Sequence, residues 1–160
     1  MRTKQLGHRK MKTNTAVLGI LLISAVSLAA AESDRFVQKM KLASGQTAVV
    51  AEGDFEPRST GSFSVRLYSG ENPHFHTDDF LGGVIHQRDG SVEKVVLADV
   101  DGDGLEEIVV IVRSIGTGSY LSVHAFAIDK KRLVLQASVA DLARDADPVS
   151  TLKKTKGKSR

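Results

Sequence analysis

Cysteine does not occur anywhere in the 160 residues of the chain. This absence excludes disulfide bonds, a thiol nucleophile and a metal site built from thiolates. It also excludes the bacterial lipoprotein route, which acylates a cysteine directly after the signal cleavage point. A chain of this length buries enough apolar surface to fold without disulfides, so their absence does not argue against a stable domain.

Long apolar runs and familiar enzyme motifs are lacking as well. The most apolar segment, residues 16–31, is interrupted by Gly19, Ser24 and Ser27, and it is shorter than the roughly 20 apolar residues that cross a bilayer. The sequence contains no G-x-S-x-G nucleophile motif, no H-E-x-x-H zinc motif and no Walker loop. We therefore predict neither a permanent membrane anchor nor an enzyme.

Residues 1–31 have the three-part layout of a secretory signal peptide. A basic segment comes first, and Met11 within it would serve equally well as the start of the chain. An apolar segment follows, and the three consecutive alanines at 29–31 suit cleavage. The basic residues are Arg2, Lys4, Arg9, Lys10 and Lys12. We predict export out of the cytoplasm, with no membrane anchor after cleavage.

The net charge changes once this segment is removed. The whole chain has 22 Lys and Arg against 19 Asp and Glu, a net charge of +3. Five basic residues leave with residues 1–31 and five lie in the tail 153–160, so residues 32–152 hold 12 basic and 19 acidic groups, a net charge of −7. An acidic body favours a cationic partner over nucleic acid.

Residues 32–152 show the pattern of a single all-β domain of about eight antiparallel strands, closed into a barrel or packed as a sandwich. Short apolar segments alternate with turn residues from Phe36 onward, and Asp89-Gly90 predicts a hairpin between two of them. The five β-branched residues of Ile108–Val112 predict a central strand covered on both faces. An exposed edge strand of such a sheet would allow a homodimer.

The C-terminal part of the chain differs in composition from the strands. Residues Asp141–Ala146 are compatible with a short helix, which Asp147-Pro148 would end. Residues 153–160 form a lysine-rich tail, for which we predict disorder.

The segment Asp99–Glu107 is the first candidate site. Oxygen ligands at its positions one, three, five and nine (Asp99, Asp101, Asp103 and Glu107) fit a calcium loop. Val110 stands where an EF-hand has its last glutamate, and the segment joins two strands instead of two helices. The alternative is a tight turn whose aspartates accept their own backbone N–H groups. A third reading, a hydrolase that uses these carboxylates, has no paired base to support it.

The loop before Leu121 is the second candidate site. It contains Ser114, Gly116, Thr117, Gly118, Ser119 and Tyr120. The two glycines permit backbone conformations closed to other residues, and the hydroxyl groups and the tyrosine ring are suited to a cleft that binds sugars. The alternative is an ordinary hairpin loop.

Three blocks of the sequence together resemble the bacterial periplasmic inhibitors of I-type (invertebrate-type) lysozyme. The blocks are residues 49–68, beginning Val49-Val50-Ala51-Glu52-Gly53-Asp54-Phe55, residues 97–110 around the Asp-Gly turn, and Thr117-Gly118-Ser119-Tyr120. The resemblance implies an eight-stranded antiparallel β structure and a Ser-Gly-x-Tyr loop that enters the catalytic cleft of the lysozyme. Thr117 departs from that pattern, because it keeps the hydroxyl of serine and adds a methyl group.

The function implied by this resemblance is inhibition by occlusion, with no catalysis. The partner would be an I-type lysozyme of a host, and the inhibitor would protect the bacterial cell wall against it from the periplasm of a Gram-negative bacterium. Thr117 and Ser119 would supply donors, Gly116 and Gly118 the loop shape, and Tyr120 a ring for a sugar-binding surface. No cofactor is required. A calcium-dependent periplasmic binding module that uses Asp99–Glu107 remains the alternative.

Overall fold

A computed structural model of the chain describes residues 35–157. The predicted signal peptide, the choice between Met1 and Met11, and residues 158–160 lie outside this range. The described elements, in chain order, are β1 (Val37–Lys41), β2 (Thr47–Glu52), β3 (Thr60–Tyr68), β4 (Phe80–Asp89), β5 (Ser91–Ala98), β6 (Glu107–Arg113), β7 (Leu121–Asp129), β8 (Arg132–Leu142) and α1 (Pro148–Gly157).

The eight strands form two four-stranded sheets, and within each sheet every strand pairs antiparallel with the next strand in the chain. Sheet 1 has the order β1-β2-β3-β4 and sheet 2 the order β5-β6-β7-β8. The predicted all-β fold of about eight antiparallel strands is therefore confirmed. Of the two forms predicted, the described residues adopt the sandwich-like one and do not close into a barrel.

The hydrophobic core lies between the two sheets, and a second cluster covers the outer face of sheet 2. Val50, Phe63 and Val65 of sheet 1 pack in one cluster with Ile108, Val110 and Phe126 of sheet 2. The alternate residues Val109 and Ile111 pack on the other side, where Leu152 of α1 is completely buried. Strand β6 is thus covered on both faces, as its run of β-branched residues predicts.

The hairpin predicted at Asp89-Gly90 is wrong. Strands β4 and β5 belong to different sheets, and Gly90 is the point at which the chain crosses from one to the other. Gly90 has a φ of 119°, and a Cβ atom on it would collide with the carbonyl oxygen of Arg113. The glycine is needed for this crossing and for the close approach to β6.

The prediction for the C-terminal residues also needs correction. Asp141 and Leu142 end strand β8, and Asp147-Pro148 begins the helix instead of ending one. The Asp147 carboxylate caps the helix, because its Oδ1 accepts hydrogen bonds from the backbone N–H groups of Val149 (3.1 Å) and Ser150 (3.2 Å). Proline is favoured at the first helical position. Disorder over residues 153–160 is wrong for 153–157, which are helical.

The register of the strands defines two ends of the sandwich. Thr60 pairs with Asp89 and Ser91 pairs with Arg113, so the β2–β3 loop, Gly90 and the β6–β7 loop share one end, here called the Gly90 end. Ala98 pairs with Glu107, so the Asp99–Glu107 turn lies at the other end of sheet 2. The two candidate sites of the sequence are thus at opposite ends of the molecule.

Two histidines, one from each sheet, meet inside the sandwich. The rings of His86 on β4 and His124 on β7 lie 4.5 Å apart between centroids, and both contact Phe63. His124 is 8% exposed, and its Nδ1 lies 2.9 Å from the hydroxyl of Ser138. Burial, and after it the neighbouring His86, lowers the pKa of His124 to about 4.

This buried histidine predicts a loss of stability in mild acid. His124 stays neutral in the folded protein, whereas the unfolded chain takes up a proton below its usual pKa of 6.5. Its contribution is therefore complete above about pH 6.5 and is lost as the pH falls toward about 4, a difference worth about 3 kcal/mol. Urea unfolding at pH 7 and pH 4.5 measures it. The variant His124→Gln should lose distinctly less stability over this interval, and an equal loss in both proteins would contradict the assignment.

Candidate functional site

The β6–β7 loop, residues Ser114–Tyr120, is closed at its base by a backbone hydrogen bond. The backbone N–H of Ser114 donates a 2.9 Å hydrogen bond to the carbonyl of Tyr120, directly beyond the pair Arg113 and Leu121. A second bond of 3.0 Å joins the N–H of Ser119 to the carbonyl of Gly116. The loop is therefore a compact projection from two central strands rather than a loose connection.

The side chains at the tip of this loop face solvent. Ile115 is 57% exposed, Tyr120 is 53% exposed, and Thr117 is exposed as well. The ring of Tyr120 lies against Gly118, where an added Cβ would come within 2.7 Å of the ring carbon Cδ2. Gly118 thus makes room for the tyrosine, so any other residue would displace the ring.

The left-handed backbone conformation in this loop is found at a residue that the sequence did not indicate. Ser119 has a φ of 45°, whereas neither Gly116 nor Gly118 has a positive φ. An added Cβ on Gly116 would meet no atom within 4 Å. The expectation that the two glycines supply unusual backbone angles is therefore wrong, and the role of Gly118 is steric.

An ion pair braces the loop from the side. Nη2 of Arg113 donates a 3.0 Å hydrogen bond to Glu93 on β5, and its Nε contacts the same carboxylate. Nη1 of Arg113 donates to the carbonyl of Ser119 at 3.0 Å. The hydrogen bond from Arg113 lowers the pKa of Glu93. The bidentate pair fixes the guanidinium, which in turn fixes the backbone of the loop. The sequence alone did not point to Glu93.

The Asp99–Glu107 turn is organised by hydrogen bonds that its backbone N–H groups donate to its own carboxylates. Both carboxylate oxygens of Asp99 accept N–H groups, from Gly102 at 2.6 Å and Gly104 at 3.1 Å. Asp101 accepts from the N–H of Asp103 at 3.2 Å and, through its other oxygen, from Gln136 at 2.6 Å. This is the tight-turn geometry that the sequence offered as the alternative to calcium.

Three of the four predicted metal ligands nevertheless come close together. Oxygen atoms of Asp99, Asp101 and Glu107 lie within 4.8 Å of one another, and among the described residues they form the only such group. Asp103 is not part of it. Burial raises the pKa of Glu107, and the nearby aspartate charges add to this, while the 2.7 Å hydrogen bond from the N–H of Val100 opposes it.

A buried arginine at the Gly90 end joins the β2–β3 loop to the rest of the sandwich. Arg88 is 1% exposed and donates hydrogen bonds to four backbone carbonyls. The acceptors are Ser62 (3.0 Å), Arg58 (2.9 Å), Pro57 (3.0 Å) and Gly90. Two carboxylates lie close to the same guanidinium, Glu52 at 3.9 Å and Glu56 at 3.7 Å.

No helix among residues 35–157 is long and apolar enough to cross a membrane.

Comparison with known proteins places this geometry in a family. The family model described as the periplasmic lysozyme inhibitor of I-type lysozyme (PliI) matches residues 34–156. The crystal structure of the periplasmic lysozyme inhibitor of I-type lysozyme from Aeromonas hydrophila is 44% identical to this chain, with a TM-score of 0.70, and the match covers 73% of this chain and 98% of that one.

A second solved structure is a complex. Aeromonas hydrophila PliI bound to Meretrix lusoria lysozyme is 45% identical, with a TM-score of 0.69, and the match covers 74% of this chain and 95% of that one. Comparison with curated protein sequences gives no match.

The family is one of inhibitors rather than enzymes, so the hydrolase reading of the Asp99–Glu107 carboxylates is not supported, and the predicted periplasmic location is confirmed. By the match over residues 34–156 and the agreement in fold, the chain belongs to the PliI family of periplasmic inhibitors of I-type lysozyme.

Proposed function

We propose that this protein protects the bacterial cell wall by binding an I-type lysozyme and inserting the Ser114–Tyr120 loop, here called the inhibitory loop, into its catalytic cleft. The observation that carries the proposal is the form of the loop. It is closed at its base by a backbone hydrogen bond, is braced by Arg113, and presents Thr117 and Tyr120 to solvent. The complex of the Aeromonas hydrophila relative with Meretrix lusoria lysozyme supports the choice of partner.

The chemistry of the loop suits the chemistry of the cleft. A lysozyme cleaves the sugar chain with a pair of carboxyl groups, of which one is protonated and the other ionised. The hydroxyl of Thr117 and the N–H groups of the loop offer donors to the ionised carboxyl, while the exposed ring of Tyr120 offers a flat surface where a sugar would lie. The loop competes with substrate for the same groups, so it inhibits without being turned over.

The acidic body assists the encounter with a cationic enzyme. Residues 32–152 carry a net charge of −7, and complementary charge accelerates association more than it raises affinity. Inhibition of Meretrix lusoria lysozyme by the mature protein tests the proposal. The protein should stop the enzyme at near-equimolar concentration, whereas the variant Tyr120→Ala should require a large excess. A parent protein that fails to inhibit would refute the proposal.

A second candidate function is calcium binding at the Asp99–Glu107 turn, favoured by the three carboxylates with oxygens within 4.8 Å. Oxygen ligands of this kind suit a hard cation. A bound ion would stabilise the sandwich at the end opposite to the Ser114–Tyr120 loop, so it would act on the fold and not on the inhibitory loop. A homodimer through an edge strand is a further proposal that neither candidate function requires.

Calcium binding predicts a stability that depends on the ion. At a concentration 100 times its Kd, calcium would add about 2.7 kcal/mol to the free energy of unfolding, which EGTA should remove. The variant Glu107→Gln keeps an oxygen acceptor for the N–H of Val100 but lacks the charged ligand, so its melting temperature should not respond to calcium. Equal melting temperatures of the parent protein in calcium and in EGTA would contradict this second candidate.

A further inference from the structure

Phe55, in the β2–β3 loop, is exposed in a way that the fold of the monomer does not explain. Phe55 has 105% of the reference exposure, and its φ is 62°, a left-handed conformation that is unfavourable for a residue as bulky as phenylalanine. Single exposed apolar residues are common, but this one combines a fully solvated ring with a strained backbone. Because neither feature stabilises the free protein, both point to a role in binding.

The loop that carries Phe55 is held rigidly from both sides. Arg88 donates hydrogen bonds to the carbonyls of Pro57 and Arg58, just after Phe55 in the chain. The carboxylate of Glu56 accepts the N–H of Ser62 at 2.5 Å and the hydroxyl of the same residue at 2.8 Å. The aromatic ring therefore projects from a preorganised support, which reduces the entropy lost when it is buried in a complex.

The position of the Phe55 loop relates it to the inhibitory loop. Both loops contact Gly90. On one side, the N–H of Gly90 donates a 2.8 Å hydrogen bond to the carbonyl of Ser59 in the Phe55 loop. On its other side Gly90 lies against the backbone of Arg113 and Ser114, where the inhibitory loop begins. A partner that receives Tyr120 at this end of the sandwich would thus also meet the neighbouring Phe55 loop.

We propose that Phe55 is a second anchor for the same I-type lysozyme, which packs on an apolar surface at the rim of the cleft while the Ser114–Tyr120 loop fills the interior. This inference rests on the proposed function, because the occupant is the enzyme that the loop inhibits. Aromatic side chains, phenylalanine among them, are enriched in the buried centre of protein–protein interfaces. The strained φ of Phe55 aims the ring outward, and Arg88 keeps it there.

The test compares three phenylalanine variants by surface plasmon resonance against immobilised Meretrix lusoria lysozyme. Phe55→Ala should dissociate at least about 10 times faster than the parent protein. Phe55→Gly should bind as weakly, yet melt at the same temperature as the parent or higher, because glycine relieves the positive φ and the lost ring was solvated. The matched control is Phe75→Ala, since Phe75 is 68% exposed in the β3–β4 loop at the opposite end of the sandwich. It should leave the dissociation rate unchanged.

The outcomes separate this inference from the proposed function. If the parent protein binds and Tyr120→Ala loses binding while Phe55→Ala and Phe55→Gly dissociate like the parent, the second anchor is refuted and the inhibitory loop stands. If Phe75→Ala weakens binding as much as Phe55→Ala, the effect is not specific to the Gly90 end and the inference also falls. If the parent protein does not bind lysozyme at all, the proposed function itself fails.

Discussion

Replacing Tyr120 by alanine should weaken inhibition of I-type lysozyme by a factor of about 30 or more, the range found when an aromatic hot spot at the centre of an interface is removed. The ring is 53% exposed in the free protein and rests on Gly118, so it is available to be buried by the partner. The fold should hardly change, because a half-exposed ring contributes little to the core. Inhibition constants and melting temperatures of parent and variant measure the two effects.

Two further loop variants sharpen this prediction. Tyr120→Phe keeps the ring and should retain most of the inhibition, which separates the contribution of the ring from that of its hydroxyl. Thr117→Ser introduces the serine of the Ser-Gly-x-Tyr pattern that the sequence resemblance implies, and this variant should inhibit at least as well as the parent protein. If Tyr120→Ala inhibits as strongly as the parent, the loop does not enter the cleft in the way proposed.

Replacing Arg88 by methionine should lower the free energy of unfolding by about 3–5 kcal/mol, the usual consequence of removing one partner from a buried ion pair. Arg88 is 1% exposed and serves four backbone carbonyls as well as Glu52, which is itself only 7% exposed. Without the guanidinium, the Glu52 carboxylate keeps the 2.6 Å hydrogen bond from the N–H of Val92 and the ion pair with Arg35 at 3.8 Å, but it loses the cation that is fully buried beside it. Thermal unfolding followed by circular dichroism should show a drop of roughly 10–20 °C.

The variant Arg88→Lys tests whether the planar guanidinium or the charge alone is needed. Lysine keeps one positive charge but cannot reach several carbonyls with a rigid fork, so we expect most of the loss to remain. Failure of Arg88→Met to fold would agree with the prediction. A melting temperature within 3 °C of the parent protein would contradict it, because the four carbonyls would then have found other partners at little cost.

Local sequence patterns predicted most of the fold because each strand has its own signature. Short apolar segments between turn residues predicted about eight antiparallel strands, and the run Ile108–Val112 correctly predicted a strand buried on both faces. The errors arose at the residues that end or begin the strands and the helix. Asp89-Gly90 suits a hairpin locally, but pairing of β4 with β3 and of β5 with β6 makes it a crossing between sheets. Asp147-Pro148 suits both the end and the beginning of a helix, and packing of Leu152 on sheet 2 selects the beginning.

The candidate site was predicted in part for a similar reason. The composition of residues 114–120 indicates an exposed loop, yet the positive φ at Ser119 and the contact of Arg113 with Glu93 depend on the register of neighbouring strands. The separation of the Asp99–Glu107 turn from that loop does follow from the sequence, because the strand predicted at Ile108–Val112 lies between them in the chain. The inward position of Arg88 could have been predicted from the sequence, since alternation along β4 places it on the same face as His86.

The dependence of inhibition on substrate concentration tests most directly whether the Ser114–Tyr120 loop occupies the catalytic cleft. Meretrix lusoria lysozyme would be assayed with a soluble chito-oligosaccharide at several concentrations and with increasing amounts of the mature protein. Competitive inhibition with one inhibitor bound per enzyme is the predicted result, so the apparent inhibition constant should rise linearly with substrate. Full lysozyme activity at a large excess of the protein, or inhibition that substrate does not relieve, would contradict the account.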